Sequence, residues 1–62
     1  MEERVKKINF YNISRGSLIE VDNQLQIAFD LGYLTKNTYN KLADQIISVY
    51  KLLNLLINSL KD

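Results

Sequence analysis

The sequence predicts an all-α protein: an antiparallel helical hairpin that completes a four-helix bundle by oligomerisation. Three observations lead there. The 62 residues contain no proline, so nothing in the chain forbids long uninterrupted helices. Apolar residues recur at helical spacing through both halves of the chain. Between the halves, residues 32–35 have the chemistry of a tight helix–helix turn.

The second half carries the clearest pattern. Tyr39, Leu42, Ile46, Val49, Leu53, Leu56 and Leu60 follow one another at steps of three and four without a miss. That spacing predicts a helix over about 36–60 with a sustained apolar seam. Ala43, Tyr50 and Ile57 widen the stripe on one flank, to a breadth that suits a globular bundle better than a narrow coiled coil. Lys41, Asp44, Ser48 and Lys51 fall on the opposite, solvated side.

The first half repeats this less cleanly. Tyr11, Ser14, Leu18, Val21, Leu25 and Ala28 keep the same steps, with Val5 and Ile8 near their face. Gly16 interrupts, at about 1 kcal/mol relative to alanine in a helix interior. Two readings compete. A new helix can begin at Ser14–Ser17, with Ser17 and Glu20 as a capping box, or one helix runs from about 3 to 31. The apolar seam passes Gly16 in register, which favours the single helix. Ser14, Gly16 and Ser17, with Glu20 beside them, then form a close-packing patch where another helix can approach. Glu20 is placed to hydrogen-bond across such an interface; its plainer reading is a surface glutamate.

In the turn, Gly32 sits where a left-handed residue closes a helix, and Tyr33 is placed to fold back on the last turn. Thr35 suits the N-cap of the next helix. Leu34 and Tyr39 have the spacing of a hydrophobic staple across that cap. A connection this short sets the two helices antiparallel.

Two helices cannot cover so broad a stripe. Ile47, Leu52 and Leu55 point away from the main seam, and residues 51–60 are apolar on nearly all sides. The expected core and oligomer contacts are therefore Leu18, Leu25, Ile46, Ile47, Val49, Leu52, Leu53, Leu55, Leu56 and Leu60. A dimer of hairpins is the smallest assembly that buries them, and a larger ring is the other solution.

Composition narrows the function. A chain of this length is one domain with a marginal core, which small proteins usually reinforce with a disulfide, a metal or a partner chain. Cysteine and histidine are both absent, which removes disulfides, the usual zinc sites and any nucleophile–base pair. We therefore expect a non-enzymatic protein without cofactors, which leaves a partner chain as its reinforcement. Glu20, Asp22 and Asp30 read as solvated charges, and the isolated Gly16 and Gly32 match no phosphate-binding loop. Apolar residues make up 47% of the chain, too many for a disordered segment, yet no apolar run exceeds three residues, so no membrane span is expected. Met1-Glu2-Glu3-Arg4 lacks the apolar stretch of a signal peptide, so the expected location is the cytoplasm, where the triplet Asn12-Ile13-Ser14 has no glycosylation role.

Net charge is +1, too weak for a nucleic-acid footprint by itself. Arg4, Lys6, Lys7 and Arg15 make the one basic bias, in the first quarter of the chain. They are the candidate RNA or DNA contacts, with a solvated helix face as the plainer reading; oligomerisation would multiply the patch. Tyr11, Tyr33, Tyr39 and Tyr50 fall on seams or the turn, where core and cap duty outweighs base stacking.

A resemblance adds to this. Phe10, Gly16-Ser17, Glu20, Gln24-Leu25, Ala28 and Leu31-Gly32-Tyr33-Leu34 occupy the order and spacing of a helix in a known family. Leu53-Asn54-Leu55-Leu56-Ile57-Asn58-Ser59-Leu60 matches the end of that family's next helix. Over residues 8–61 the chain resembles the C-terminal half of the four-helix-bundle proteins linked to 23S ribosomal RNA intervening sequences, whose relatives include accessory proteins of diversity-generating retroelements. The family's first two helices, and the Arg-rich turn that follows them, have no counterpart, and Thr38 stands where relatives often carry an acidic residue. Such a chain fits a short gene product, a split relative or a fragment alike.

The resemblance implies a bacterial, cytoplasmic, non-enzymatic protein that forms helical-bundle oligomers, in a family of largely unassigned function. The retroelement accessory proteins resemble ring-forming partners of a reverse transcriptase and nucleic acid. For this chain the expectation is self-association and partner binding, the missing helices coming from another protein or a second copy. The alternative is an RNA- or DNA-binding bundle that uses the basic N-terminal quarter.

Overall fold

The computed structural model describes residues 2–61, which form two α-helices joined by a tight turn, with no strand among them. The first helix, α1, is Glu2–Asp30 and the second, α2, is Lys36–Leu60. Packed antiparallel, they make a rod of 47 × 15 × 10 Å. α1 runs unbroken through Ser14–Ser17, so the single-helix reading holds and Ser17 caps nothing. It ends one residue before the expected boundary: Leu31 belongs to the turn and is exposed. No helix among the described residues is long and apolar enough to cross a membrane.

The turn forms as its residues require. Gly32 adopts φ +86°, a left-handed conformation that an L side chain resists. With that twist the Gly32 amide donates to the Phe29 carbonyl at 3.0 Å, and the Tyr33 amide to that of Ala28 at 3.0 Å. This pair of bonds is a Schellman motif, which satisfies carbonyls the helix end leaves open. Tyr33 folds back through its backbone alone; its ring stays exposed. Thr35 takes an extended conformation, and its hydroxyl oxygen accepts the Thr38 amide at 3.1 Å. Thr38 completes the cap from its side: the two threonine hydroxyls lie 3.0 Å apart.

The hairpin seam is offset by one position from the expected line on both helices. On α2 the covered positions are Tyr39, Ala43, Ile46, Tyr50, Leu53, Ile57 and Leu60, again at steps of four and three. Leu42 and Val49 are instead exposed, and Leu56 only half-buried. On α1 the corresponding line is Ile8, Tyr11, Arg15, Leu18, Asp22, Leu25 and Phe29. Val21 is half-exposed on its flank, with Ser14 and Ala28. A single neighbouring helix is narrower than the apolar stripe, so it covers one edge of it and leaves the other bare.

Burial is accordingly thin. Leu53 at 9% exposure and Ile57 at 2% are the two residues that count as buried among those described. Tyr39 stacks on Phe29 near the turn, with ring centroids 4.5 Å apart and planes 20° from parallel. Such a pair adds about 0.5–1.5 kcal/mol beyond its area, and it fastens the turn end of the rod.

Candidate functional site

Two antiparallel helices of this kind leave a groove along each side of their seam, and here the two grooves differ in chemistry. One is lined by Leu18, Val21 and Leu25 of α1 and by Leu42, Gln45, Ile46 and Val49 of α2. Only Gln45 brings a side-chain amide to it. The bare edge of the apolar stripe is therefore one wall of this groove. Leu52 and Leu56 continue it toward the open end of the hairpin, three residues beyond Val49 and four beyond Leu52 respectively.

The opposite groove mixes both kinds of side chain. Asp22 and Gln26 of α1 line it together with Tyr39, Ala43, Tyr50, Lys51 and Asn54 of α2. Gln26 Nε2 donates to Asp22 Oδ2 at 3.5 Å, the long limit of such a bond. Ile19 and Ile47 lie on its rims. It is the larger of the two, at about 600 Å³, and open to solvent along its length.

Arg15 is where the expected site residues part company. Its guanidinium donates through Nη1 to Asn54 Oδ1 of α2 at 2.7 Å and through Nη2 to Asn12 Oδ1 at 3.0 Å. Half-buried on the seam, it ties the two helices together. The other three candidate cations stay exposed. α1 is longer than α2, 29 residues against 25, and both start from the same turn. The first turn of α1, with Arg4 and its neighbours, therefore projects past the end of α2, with Lys6 and Lys7 at its base.

The small-residue patch lies off the hairpin. A Cβ added at Gly16 would meet nothing within 4 Å, so α2 makes no close approach there. Gly16, Ser17 and Glu20 are exposed and Ser14 half-buried. Of the expected core and oligomer contacts, Leu53 is buried and Leu18, Leu25, Ile46, Leu56 and Leu60 are half-buried. Ile47, Val49, Leu52 and Leu55 are exposed, as are Phe10 and Ile13 on α1. Among the described residues no three acidic or other ligand side chains gather as a metal site would require.

The seam's two polar members escaped the sequence reading because apolar spacing selects only apolar residues. Arg15 and Asp22 each sit four residues after one apolar seam residue (Tyr11, Leu18) and three before the next (Leu18, Leu25), and that spacing was the available signal. Phe29, four residues after Leu25, continues it.

The sequence model of the 23S rRNA-intervening sequence protein family matches residues 2–55. That span takes in α1, the turn and most of α2, and it begins and ends earlier than the 8–61 over which the motifs run. No curated protein and no solved structure matches the chain.

Proposed function

The chain belongs to the 23S rRNA-intervening sequence protein family, and we propose on that premise that it works as a non-enzymatic helical module acting through self-association and partner binding. One observation carries this reading: the apolar stripe is wider than the hairpin covers. Val21, Leu42, Val49 and Leu52 remain exposed along one side. The accessible surface is 4970 Å², whereas a compact monomer of this mass exposes about 4,100 Å². A continuous apolar face on a protein with so little buried core is the mark of an association surface.

Sedimentation equilibrium of the chain at micromolar concentration tests the proposal. It predicts a mass of two or more copies; a folded monomer throughout would remove self-association.

A second reading rests on the projecting first turn of α1. Arg4, Lys6 and Lys7 are exposed there, and the family name refers to a ribosomal RNA element. These side chains support contact with a nucleic-acid backbone. A mobility-shift titration at low and moderate salt tests it: binding must weaken steeply with salt, and no shift even at low salt would remove this reading.

A further inference from the structure

Resting on the self-association proposed above, the pattern on one side of α1 also gives the direction of the partner. Phe10, Ser14, Ser17 and Val21 succeed one another at steps of four, three and four, so they share one stripe of the helix. Val21 borders the apolar groove. Phe10 therefore stands on the groove's side of the rod, eleven residues and roughly 16 Å nearer the open end. It is 64% exposed, with its ring tilted against that of Tyr11 at a centroid distance of 5.9 Å. One face thus carries a protruding aromatic ring in its open half and an apolar groove in its turn half. Between the two lie Ser14 and Ser17, whose short side chains let another backbone come close.

We infer that a second copy of this chain docks on this face antiparallel, turn end to open end, with each Phe10 seated in the other copy's groove between Val21, Leu25, Leu42 and Val49. A two-fold axis at about the level of Ser17 carries the ring of one copy onto the groove of the other, since the two lie at similar distances on either side of that level. Parallel docking sets ring against ring and groove against groove, and fills neither.

Charge favours the same direction. Among the described residues, the open half holds Glu2, Glu3, Arg4, Lys6, Lys7, Arg15 and Lys61, an excess of three positive charges. The turn half holds Glu20, Asp22, Asp30, Lys36, Lys41, Asp44 and Lys51, an excess of one negative. Antiparallel docking brings unlike halves together, and parallel docking brings the two positive halves together. Area is also sufficient. The surface in excess of a compact monomer is roughly 900 Å², close to the ~800 Å² that each partner contributes to an interface of standard size.

Because the chain contains no cysteine, a single spin label on Asn37→Cys, beside the turn, reads the arrangement by double electron–electron resonance. Antiparallel docking predicts a separation near 47 Å, the length of the rod. A separation of roughly 20 Å, about two helix spacings, would mean parallel docking and overturn the inference while leaving self-association standing. A mixture containing the short distance would overturn it too. Absence of any dipolar coupling, with a monomer in sedimentation, would overturn both. In the unlabelled protein, Phe10→Ala must weaken dimerisation at least tenfold; an unchanged dissociation constant contradicts the seating of that ring.

Discussion

Arg15 Nη1 and Asn54 Oδ1, 39 residues apart in the chain, meet at 2.7 Å across the hairpin. The bond fixes α1 against α2 at a point about halfway along the rod, where the seam would otherwise be held by packing alone. Bonds to a charged donor contribute about 1.5–3 kcal/mol when well shielded, and the half-exposed setting here brings the value below that range. Asn54→Ala should destabilise the protein by about 1 kcal/mol in urea melts. A double-mutant cycle with Arg15→Met, which keeps most of the apolar stem, should return a coupling of at least ~0.5 kcal/mol. Additive effects would show that the pair does not hold the helices.

Gly32 and Gly16 should respond to alanine in opposite directions. At Gly32 the φ of +86° is the whole obstacle, since nothing lies within 4 Å of the added Cβ. Gly32→Ala should cost about 1 kcal/mol by straining the turn. Gly16 has helical backbone and equally open space, so Gly16→Ala should stabilise by roughly 0.8–1 kcal/mol. Chemical denaturation of the two variants checks the pair. Destabilisation by Gly16→Ala would place a second helix against that position.

Thr35→Ala removes the oxygen that accepts the Thr38 amide. The expected loss is about 1 kcal/mol, and Thr35→Asp, which also accepts, should restore most of it. Thermal melts followed by circular dichroism decide this, provided protein concentration is held constant between variants.

Ile57→Ala cuts the most covered side chain in the rod, at 2% exposure. Deleting that much buried hydrocarbon costs about 2–5 kcal/mol, a large part of the stability of so small a protein. Val49→Ala, one position off the seam, should change the unfolding of isolated hairpins little and the association of hairpins more. Equal effects of the two substitutions on a monomeric, dilute sample would contradict the offset seam.

The turn was legible residue by residue, because each of its positions has a local chemical requirement. Gly32 needs no Cβ, Thr35 supplies an acceptor, and both perform those tasks through bonds within the turn. The continuity of α1 through Gly16 was also readable, since the apolar register passes it unbroken. The seam was placed one position off because apolar spacing marks the middle of everything apolar. The hairpin partner covers only one edge, along Ala43, Tyr50 and Ile57, and leaves Leu42 and Val49 bare. Arg15 and Asp22 were hidden by their polarity: a long cation reads as a surface group until its partner, Asn54, is known. The small-residue patch at Gly16 faces away from α2 for a related reason. Its spacing shows that a helix can approach there and carries no information on which helix does.

If the hairpin is half of its folding unit, as proposed above, its melting temperature depends on protein concentration. For a dimer that folds as it assembles, a hundredfold dilution lowers stability by about 2.7 kcal/mol, which moves Tm down by roughly 10 °C. That shift is the predicted result. A cooperative melt at the same temperature across the whole dilution would mean that the hairpin stands alone, and would contradict the claim.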